Sequence, residues 1–351
     1  MDRSQRIKAW LKPWLTNPNS TLINVAGDAS FRSYYRITAA QSTTGTSLIL
    51  MDAPPDKESS EMFINLAKAW HAQGVKVPAV VAYDLVLGVA LLEDFGDVQL
   101  MQRIKADAIA ANKLYRQALQ QLMGIQALTN SDLPKYSAEL LTRELALFDD
   151  WLLKDLLKFT PENLPAGWSA FQQKLIASAL QQPQVIVHRD YHSRNLMALD
   201  DNSLGIIDFQ DAVLGACTYD AVSLIRDCYL DWPAATQQTW LAYFYQLYCQ
   251  AVEKETVETN ISLAEFTRWF DWMGMQRHLK AAGIFARLWL RDGKASFLQD
   301  IPLTLQHLLR ATQHYPELAD IQTWLAEVVI PAFTAFLQQH SEPNQQAVQH
   351  D

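Results

Sequence analysis

Residues 185–211 constrain the fold of this chain more than any other stretch; they read VIVHRDYHSRNLMALDDNSLGIIDFQD. Short apolar runs predict three strands, at residues 185–187, 196–199 and 204–207. A polar loop follows the first strand, and a turn rich in Asp, Asn and Ser separates the other two. Because polar side chains follow these strands, we expect three of them to converge: Asp190, Asn195 and Asp208.

These side chains suit phosphoryl transfer. Mg²⁺ prefers oxygen ligands, usually one or two protein carboxylates completed by water and nucleotide phosphates, and Asn195 and Asp208 supply such oxygens. Asp190 then remains to accept the proton of an attacking hydroxyl. Protein kinases divide the work in the same way, with H-R-D-x-x-x-x-N followed by Asp-Phe-Gly. Residues 188–195 match the first string letter for letter, while Gln210 stands in place of the glycine.

Two other interpretations of this stretch remain open. In a plain polar hairpin the aspartates would only cap turns, and the D-x4-N spacing favours the kinase pattern over that interpretation. His188 and His192, four residues apart, suggest a zinc site. However, they follow a strand and lack the glutamate of a helical H-E-x-x-H motif.

Composition restricts the class of protein. A chain of 351 residues, 49% hydrophobic and 19% charged, predicts a globular protein of roughly two ordinary domains. Its net charge of −9, without a Lys/Arg tract, argues against a nucleic-acid partner. We find neither a signal peptide nor an apolar run of membrane-spanning length, the longest being residues 85–92. Cys217, Cys228 and Cys249 show no metal spacing, so we expect reduced thiols and a cytoplasmic protein.

Periodicity divides the chain into two lobes. Strand patterns surround one helical pattern before Gly96, and helical patterns dominate after it. We therefore predict an α+β fold with a small β-rich lobe, residues 1–96, and a large helical lobe, residues 97–340. The polar composition of residues 341–351 predicts a disordered tail. The first lobe is expected to contain five strands, near residues 21–26, 31–38, 47–51, 79–84 and 88–93.

The central motif and this order of lobes resemble the aminoglycoside phosphotransferase and choline-kinase-like family, over almost the whole chain. Within that family the chain is similar to the anomeric amino-sugar kinases of peptidoglycan recycling. The stretches that carry the closer similarity are GDASFRSYYRI (27–37), MDAPPDKE (51–58), LLEDFGD (91–97), HRDYHSRNLM (188–197), IDFQDAVLGACTYDAVSLIRDCY (207–229) and QRHLKAAGIFARLWLRDGK (276–294). The resemblance implies a two-lobed, protein-kinase-like fold, ATP or GTP as phosphate donor, and Mg²⁺.

The resemblance also implies where the nucleotide binds. Small residues let backbone N–H groups approach an anion, and the turn expected over the phosphates comprises Gly27, Asp28, Ala29, Ser30 and Phe31. The hinge expected to offer backbone groups to the base comprises Glu93, Asp94 and Phe95. From the residues alone, a plain hairpin turn and a simple strand end explain these two segments equally well.

One departure from the kinase pattern concerns charge. The kinase lysine that pairs with the α- and β-phosphates stands on the third strand, but residues 47–51 read SLILM. We predict that Arg32 replaces it, with Arg36 and Lys57 as alternatives. Glu61 is predicted to be a solvated first-turn residue favoured by the helix dipole.

The acceptor pocket is expected after the last central strand. Asp220 is predicted to cap a helix over residues 221–230, on which Arg226 and Asp227 would bind the acceptor. Farther on, five cations recur at helical spacing, and Arg287 is the predicted acceptor ligand among them. This face either attracts an anionic acceptor or is solvated and paired with neighbouring acids. The five are Arg277, Lys280, Arg287, Arg291 and Lys294.

The central motif predicts an enzyme, a kinase, and the resemblance implies that it phosphorylates the anomeric hydroxyl of N-acetylmuramate or N-acetylglucosamine. Its expected partners are a nucleotide and an amino sugar, with no nucleic acid and no membrane. The same chemistry on an aminoglycoside, choline or homoserine is the nearest alternative, although a basic helical face disfavours cationic acceptors. A nucleotide-binding scaffold without turnover remains open because the strand lysine is missing.

Overall fold

The computed structural model describes residues 2–15, 21–27, 31–38, 47–129, 133–254 and 261–341. The chain forms two compact units. We call Met1–Leu128 with Ser193–Asp211 the sheet unit, and Thr129–His192 with Ala212–Asp351 the helical unit. The sheet unit contains helices and a hairpin that the sequence placed after residue 96, and the predicted lobe boundary stays a prediction.

The described strands and α-helices have the following bounds. The strands are β1 (Leu22–Gly27), β2 (Ser33–Thr38), β3 (Ser47–Asp52), β4 (Val80–Asp84), β5 (Val89–Glu93), β6 (Gln184–Val187), β7 (Leu196–Ala198), β8 (Leu204–Ile206) and β9 (Val213–Ala216). The helices are α1 (Arg3–Leu11), α2 (Glu61–Ala72), α3 (Leu100–Ala106), α4 (Ala111–Gln126), α5 (Ala138–Leu147), α6 (Trp168–Gln181), α7 (Tyr219–Ile225), α8 (Ala234–Lys254), α9 (Leu263–Asp292), α10 (Ile301–Thr312), α11 (Ala319–Trp324) and α12 (Ile330–Ser341).

A five-stranded antiparallel sheet, in the order β1-β2-β3-β5-β4, forms the frame of the sheet unit. All five strands were predicted. Successive side chains of a strand point to opposite faces, so Leu48 and Leu50 of β3 share one face. There they pack in a buried cluster with Ile7 and Leu11 of α1. Ile49 lies on the other face of β3, where it lines a pocket.

The sequence predicted a continuous helical pattern over residues 101–130, but the described part of this stretch contains two α-helices, α3 and α4. The Asp107 carboxylate accepts hydrogen bonds from the backbone N–H groups of Ile109 (3.1 Å) and Ala110 (3.3 Å). An aspartate that binds the following N–H groups competes with the helical hydrogen-bond ladder. The competition ends α3 before α4 begins.

The three central strands do not pair as one hairpin. β7 pairs with β8, with Leu196 opposite Ile206. β6 pairs instead with β9, with Val187 opposite Val213. The sequence missed β9, because a four-residue strand containing a glycine shows no periodicity of its own and depends on its partner.

The long helix α9 organises the helical unit and packs against α5, α6, α7 and α10. Ser262 and Glu265 form a capping box at its start, and Gly293, with φ 67°, ends it in the left-handed region. Its apolar residues, such as Leu279 and Phe285, belong to a large buried cluster that also contains Phe148.

The described segment Pro316–His340 is helical, long enough and apolar enough to cross a membrane by length and composition alone; 28% of its most apolar window is buried. The sequence analysis looked for continuous apolar runs and missed this segment, because polar residues such as Asp320 and Glu327 interrupt it. Core helices of globular proteins satisfy the same criterion.

Gly283 allows the backbone of α9 to approach that of α5. A Cβ atom built on Gly283 would lie 2.3 Å from the carbonyl carbon of Leu147 and 2.5 Å from the nitrogen of Phe148. Because backbone atoms cannot rotate away, we expect Gly283→Ala to lower the free energy of unfolding by about 1–3 kcal/mol. Guanidinium denaturation followed by tryptophan fluorescence measures the change.

The matched control is Gly124→Ala in α4, where a Cβ atom would have no neighbour within 4 Å. This substitution is expected to stabilise the helix by up to about 1 kcal/mol. Equal denaturation midpoints for the two variants would contradict the close approach at Gly283.

Candidate active site

The hairpin of β7 and β8 brings two predicted site residues together. Asn195 precedes β7 and Asp208 follows β8. The Asn195 side chain donates from Nδ2 to Asp208 Oδ2 at 3.1 Å. The backbone N–H of Ile207 also donates to the carbonyl oxygen of Asn195 at 3.1 Å. The strand register therefore determines which side chains meet.

Asp208 is held in an unusual backbone conformation. Its φ is 68°, a left-handed value that is uncommon for residues other than glycine and often marks functional positions. The next residue, Phe209, is fully buried and stacks on Phe63 with ring centroids 5.0 Å apart. Gln210, which replaces the kinase glycine, donates from Nε2 to Asp208 Oδ1 at 2.7 Å. These contacts fix the direction of the carboxylate.

The donor set of this pair fits Mg²⁺. A carboxylate and an amide oxygen are hard ligands, and Mg²⁺ commonly takes only one or two of them from the protein. The described residues contain no cluster of three or more His, Cys, Asp and Glu side chains that could hold a metal. A site that relies on phosphate and water oxygens for its remaining ligands is compatible with that composition.

A pocket of about 480 Å³ lies within the sheet unit, and Asn195 and Asp208 are part of its wall. Its volume falls in the usual range of small-molecule sites, about 300–1,000 Å³. The predicted hinge residues Glu93, Asp94 and Phe95 all line it. Apolar side chains from three strands complete one wall, namely Val25, Ile49 and Leu92. The structure thus brings the predicted hinge residues and the predicted metal ligands, Asn195 and Asp208, to one pocket.

Arg36, one of the alternative phosphate cations, is committed to acidic neighbours in this pocket. Its Nε lies 2.6 Å from Asp94 Oδ2, and its Nη1 lies 2.7 Å from Asp97 Oδ1. Burial by itself would raise the pKa of Asp94, but hydrogen bonds from Arg36 and Ser47 hold it below its usual value. The hydrogen bond to Asp94 in turn raises the pKa of Arg36. Asp94 therefore stays ionised, and the charge of Arg36 is used within the protein.

Arg32, the predicted replacement for the strand lysine, is buried and forms an ion pair with Glu58. Its guanidinium carbon lies 5.7 Å from the centroid of the Phe63 ring. Glu61 is exposed, as predicted, so Glu58 is the acidic partner that the sequence failed to single out. A salt bridge over 26 residues of chain leaves no local pattern by which it could have been found.

The structure describes two residues of the predicted phosphate turn, Gly27 and Phe31. Gly27 ends β1 opposite Ser33, and the Phe31 side chain is 65% exposed. The Nζ of Lys57 lies 5.9 Å from the centroid of the Phe31 ring. Asp28, Ala29 and Ser30 lie outside the described residues.

In the helical unit, Asp190 lies in the loop that follows β6. Asp220 holds this loop, since its carboxylate accepts hydrogen bonds from the backbone N–H groups of His188 (2.7 Å) and Arg189 (3.1 Å). Burial raises the pKa of Asp220 to about 7. The prediction that Asp220 caps a helix was wrong. Thr218 occupies the N-cap position of α7, and the Asp220 carboxylate is used by the loop instead.

Arg189 has a left-handed backbone, with φ 76°, and its side chain is anchored to Glu144 of α5. Its Nη2 lies 2.6 Å from Glu144 Oε1, and Lys280 Nζ lies 3.3 Å from the same oxygen. The other carboxylate oxygen accepts from the Tyr136 hydroxyl and from Gln276 Nε2 (3.3 Å). The sequence analysis missed Glu144, because a lone glutamate on an amphipathic helix normally faces solvent.

Lys280 links this anchor to the surroundings of Asp190. Burial by itself would raise the pKa of Asp190, but the positive charge of Lys280, then of His192 and Arg277, lowers it below the usual range. His188 acts in the same direction. The Asp190 carboxylate is therefore ionised at neutral pH and is a weak base.

The predicted cationic face of α9 divides into two parts. Arg277 and Lys280 are buried and act on Asp190. Arg291 is exposed and pairs with Asp292 at 2.7 Å. Burial lowers the pKa of the half-buried Arg287, with a further contribution from Arg291. Only the first part of the face therefore has a role beside the candidate base.

The other predicted acceptor residues have structural partners. Arg226 Nη2 lies 2.6 Å from Asp271 Oδ1, and Arg226 lines a separate pocket of about 610 Å³ in the helical unit. Asp227 is fully buried and accepts from the backbone N–H of Tyr229 at 3.0 Å. Acceptor binding by Arg226, Asp227 and Arg287 stays a prediction.

Removing the charge of Lys280 should change the titration of Asp190. In Lys280→Met we expect the pKa of Asp190 to rise, because the largest opposing charge is lost while the burial remains. Carboxyl ¹³C NMR of aspartate-labelled protein, assigned with Asp190→Asn, measures it. Lys294 was predicted on the same cationic face but lies beyond Gly293, which ends α9, so Lys294→Met should leave the titration unchanged. A lower pKa in Lys280→Met would contradict the assignment.

Comparison with known proteins agrees with this geometry. The model of the phosphotransferase enzyme family matches residues 21–258. A protein of Pseudomonas putida named N-acetylmuramate/N-acetylglucosamine kinase is 37% identical over 338 residues, covering 93% of this chain and 96% of that protein. A protein of the same name from Neisseria meningitidis serogroup B is 37% identical over 336 residues, covering 94% of this chain and 97% of its own.

Solved structures show the same fold at low identity. An ethanolamine kinase of Plasmodium vivax superposes with a TM-score of 0.60 and 12% identity, over 87% of this chain and 94% of that one. A choline kinase of Cryptosporidium parvum gives a TM-score of 0.60 and 10% identity, over 92% of this chain and 100% of that one. They confirm the predicted α+β, protein-kinase-like fold. The chain belongs to the phosphotransferase enzyme family, as its central motif predicted.

Proposed function

We propose that this protein is a sugar kinase that transfers the γ-phosphoryl group of ATP to the anomeric hydroxyl of N-acetylmuramate or N-acetylglucosamine. The observation that carries the chemistry is the contact of Asn195 with Asp208 on the wall of the pocket of about 480 Å³. The names of the relatives, which match this chain over more than nine-tenths of its length, support the choice of acceptor.

Donor binding is assigned to the sheet unit. Asn195 and Asp208 would hold Mg²⁺, which when bound neutralises phosphate charge and orients the triphosphate. The backbone of Glu93–Phe95 would meet the base of the nucleotide, since these residues line the same pocket. The turn at Gly27–Phe31 would cover the phosphates, and Arg32, steadied by Glu58, would bind the α- and β-phosphates.

Asp190 is the proposed catalytic base. It would accept the proton of the anomeric hydroxyl while that oxygen attacks the γ-phosphorus. An anomeric hydroxyl is more acidic than an ordinary alcohol, so a carboxylate whose pKa lies below the usual range is basic enough. Rate acceleration would then come mainly from orientation of the reactants and from neutralisation of charge.

The charges near Asp190 favour a neutral or anionic acceptor. Arg277 and Lys280 act on the carboxylate from α9, and their positive charge would repel the ammonium groups of choline or an aminoglycoside. The lactyl carboxylate of N-acetylmuramate is compatible with them. Arg226, Asp227 and Arg287 would contribute farther from the reacting atoms.

We place this activity in the cytoplasm, in the recycling of peptidoglycan sugars. The three cysteines, Cys217, Cys228 and Cys249, are free thiols, as expected in a reducing compartment. A net charge of −9 gives no reason to expect a nucleic-acid partner.

A product analysis tests the proposal. The purified protein is incubated with Mg-ATP and a panel containing N-acetylmuramate, N-acetylglucosamine, glucose, choline, homoserine and kanamycin. We expect phosphorylation of the two amino sugars, with the phosphate at carbon 1 by mass spectrometry and ³¹P NMR. Turnover of choline, homoserine or kanamycin alone, or ATP hydrolysis that no sugar stimulates, would refute it.

Asp190→Ala tests the assigned base. Because a positioned general base contributes about 10²–10⁴-fold, kcat should fall by at least the lower figure. Nucleotide affinity, measured by isothermal titration calorimetry, should remain within about threefold, since binding of the donor is assigned to other residues. A kcat close to that of the parent protein would remove Asp190 from the mechanism.

Asp208→Ala tests the metal site. Losing the only carboxylate of the pair should weaken binding of Mg-ADP by about tenfold or more, while metal-free ADP binds almost as before. Calorimetry with and without EDTA separates the two cases. Asp200→Ala, an exposed aspartate in the turn between β7 and β8, is the control and should change neither affinity. Equal losses with and without Mg²⁺ would argue against a metal ligand.

A further inference from the structure

We propose that Arg36 of β2 is a positioning residue of the donor pocket, and that it fixes, through Asp94, the segment that would meet the base of the nucleotide. We call residues 93–97 the hinge segment. The inference rests on the proposed function and deepens it, because it assigns to Arg36 a role in recognition of the base and not of the phosphates. It depends on the face on which Arg36 lies, the hydrogen bonds of Asp94, and the anchoring of Glu93.

The Arg36 side chain lies on the pocket face of the five-stranded sheet. Arg36 stands opposite Ile49 of β3, and Ile49 stands opposite Leu92 of β5. Residues paired in this way on neighbouring strands project from the same face. All three line the pocket of about 480 Å³. Because β3 lies between β2 and β5, Arg36 must cross β3 to reach the hinge segment, and its contacts show that it does.

The Asp94 carboxylate joins three parts of the sheet unit. Its Oδ2 accepts from Arg36 Nε at 2.6 Å and from Ser47 Oγ of β3 at 2.7 Å. Its Oδ1 accepts from Arg36 Nη2 at 3.0 Å and from the backbone N–H of Gly96 at 2.9 Å. Arg36 Nη1 in addition donates to both carboxylate oxygens of Asp97, at 2.7 and 2.8 Å. A bidentate pair of this kind fixes orientation as well as distance.

The hinge segment is also anchored at its first residue. Glu93 Oε2 accepts from the backbone N–H of Ala79 at 3.2 Å, and the Glu93 N–H donates to the Ala79 carbonyl oxygen at 2.9 Å. Gly96 has a left-handed φ of 76°, which lets the chain turn so that its N–H meets Asp94. None of these bonds uses a carbonyl oxygen of the hinge segment. They hold its shape without competing for the acceptors that a base would use, and a preorganised segment binds at a lower entropic cost.

An Arg36 that binds phosphates would have to break these contacts. The Asp94 side chain is only 5% exposed, and a buried carboxylate that loses its cation is left with a costly unpaired charge. A triphosphate that approached Arg36 would also meet the negative charges of Asp94 and Asp97. The contacts therefore favour the positioning role. The two roles also predict opposite results for a change at Asp94, which makes them separable.

The first experiment compares a ligand without phosphates with one that carries them. Isothermal titration calorimetry measures the binding of adenosine and of Mg-ADP to the parent protein, Arg36→Met and Arg36→Lys. We expect Arg36→Met to weaken both ligands by the same factor, at least about fivefold. Arg36→Lys keeps the charge but loses the bidentate geometry, and it should restore part of the affinity. Arg3→Met, which removes an ion pair to Asp52 outside the pocket, is the matched control and should bind both ligands as the parent does.

The second experiment uses Asp94→Asn. If Arg36 acts through Asp94, this variant should also weaken adenosine and Mg-ADP together. The double variant Arg36→Met/Asp94→Asn should then lose no more affinity than the weaker-binding single variant, because both changes break the same contact. If Arg36 instead binds phosphates, Asp94→Asn releases it, and Mg-ADP should bind more tightly than to the parent.

Steady-state kinetics separate positioning of the base from a general loss of structure. With saturating Mg-ATP and N-acetylglucosamine, kcat of Arg36→Met should stay within about threefold of the parent value, while KM for Mg-ATP rises by at least about fivefold. A distorted pocket would lower kcat to a similar extent, and that result would contradict the positioning role. Circular dichroism verifies that each variant folds, and Arg36→Lys decides the question if Arg36→Met does not.

The outcomes distinguish this inference from the proposed function. A parent protein that binds adenosine and Mg-ADP but phosphorylates no amino sugar refutes the proposed acceptor, and the binding series still decides the role of Arg36. Unchanged adenosine affinity in the Arg36 variants, or tighter Mg-ADP binding in Asp94→Asn, overturns the inference. A parent protein that binds neither ligand also overturns it, because the pocket would then not be the donor site.

Discussion

The loop that follows β6 in the helical unit depends on the ion pairs of the buried Glu144 carboxylate. This carboxylate pairs with Arg189 at 2.6 Å and with Lys280 at 3.3 Å, and it also accepts hydrogen bonds from Tyr136 and Gln276. Burial opposes its charge, yet Lys280 and Arg189 keep its pKa below the usual value. Because a buried charge is costly unless paired, removing either cation would strain the whole network. Glu144 thus holds the loop residue before Asp190 and a lysine that acts on Asp190 itself.

In the sheet unit, the hairpin of β7 and β8 holds the side chains of Asn195 and Asp208 in contact. The register of β7 and β8 places Asn195 beside Asp208. The packing of the buried Phe209 side chain on Phe63 fixes the backbone that follows Asp208. The left-handed backbone of Asp208 has a conformational cost that these contacts offset. In the pocket, Arg36 forms ion pairs with Asp94 and Asp97, and β3 carries no lysine.

Much of the fold was predictable because its signals are local. The five strands of the sheet follow from alternating and continuous apolar runs, and the helical character of the second half follows from its periodicity. The errors occurred where a specific hydrogen-bond partner, local or distant, decides the structure. Asp107 divided a predicted helix through its own backbone contacts, and β9 exists because β6 pairs with it. Asp220, predicted as a helix cap, is used instead by a loop 31 residues earlier in the chain.

The sequence by itself determined the chemistry, since the spacing of Asp190, Asn195 and Asp208 within one short stretch identifies the family without any coordinates. Only the tertiary structure decided which charges surround those residues. Three ion pairs join residues that are far apart in the sequence. Arg189 lies 45 positions from Glu144, Lys280 lies 136 positions from Glu144, and Arg32 lies 26 positions from Glu58. No periodicity or motif records such pairs, because an ion pair requires only that two side chains meet after folding. The positions of the predicted site residues are therefore determined by local sequence, and their electrostatic surroundings are a property of the folded chain.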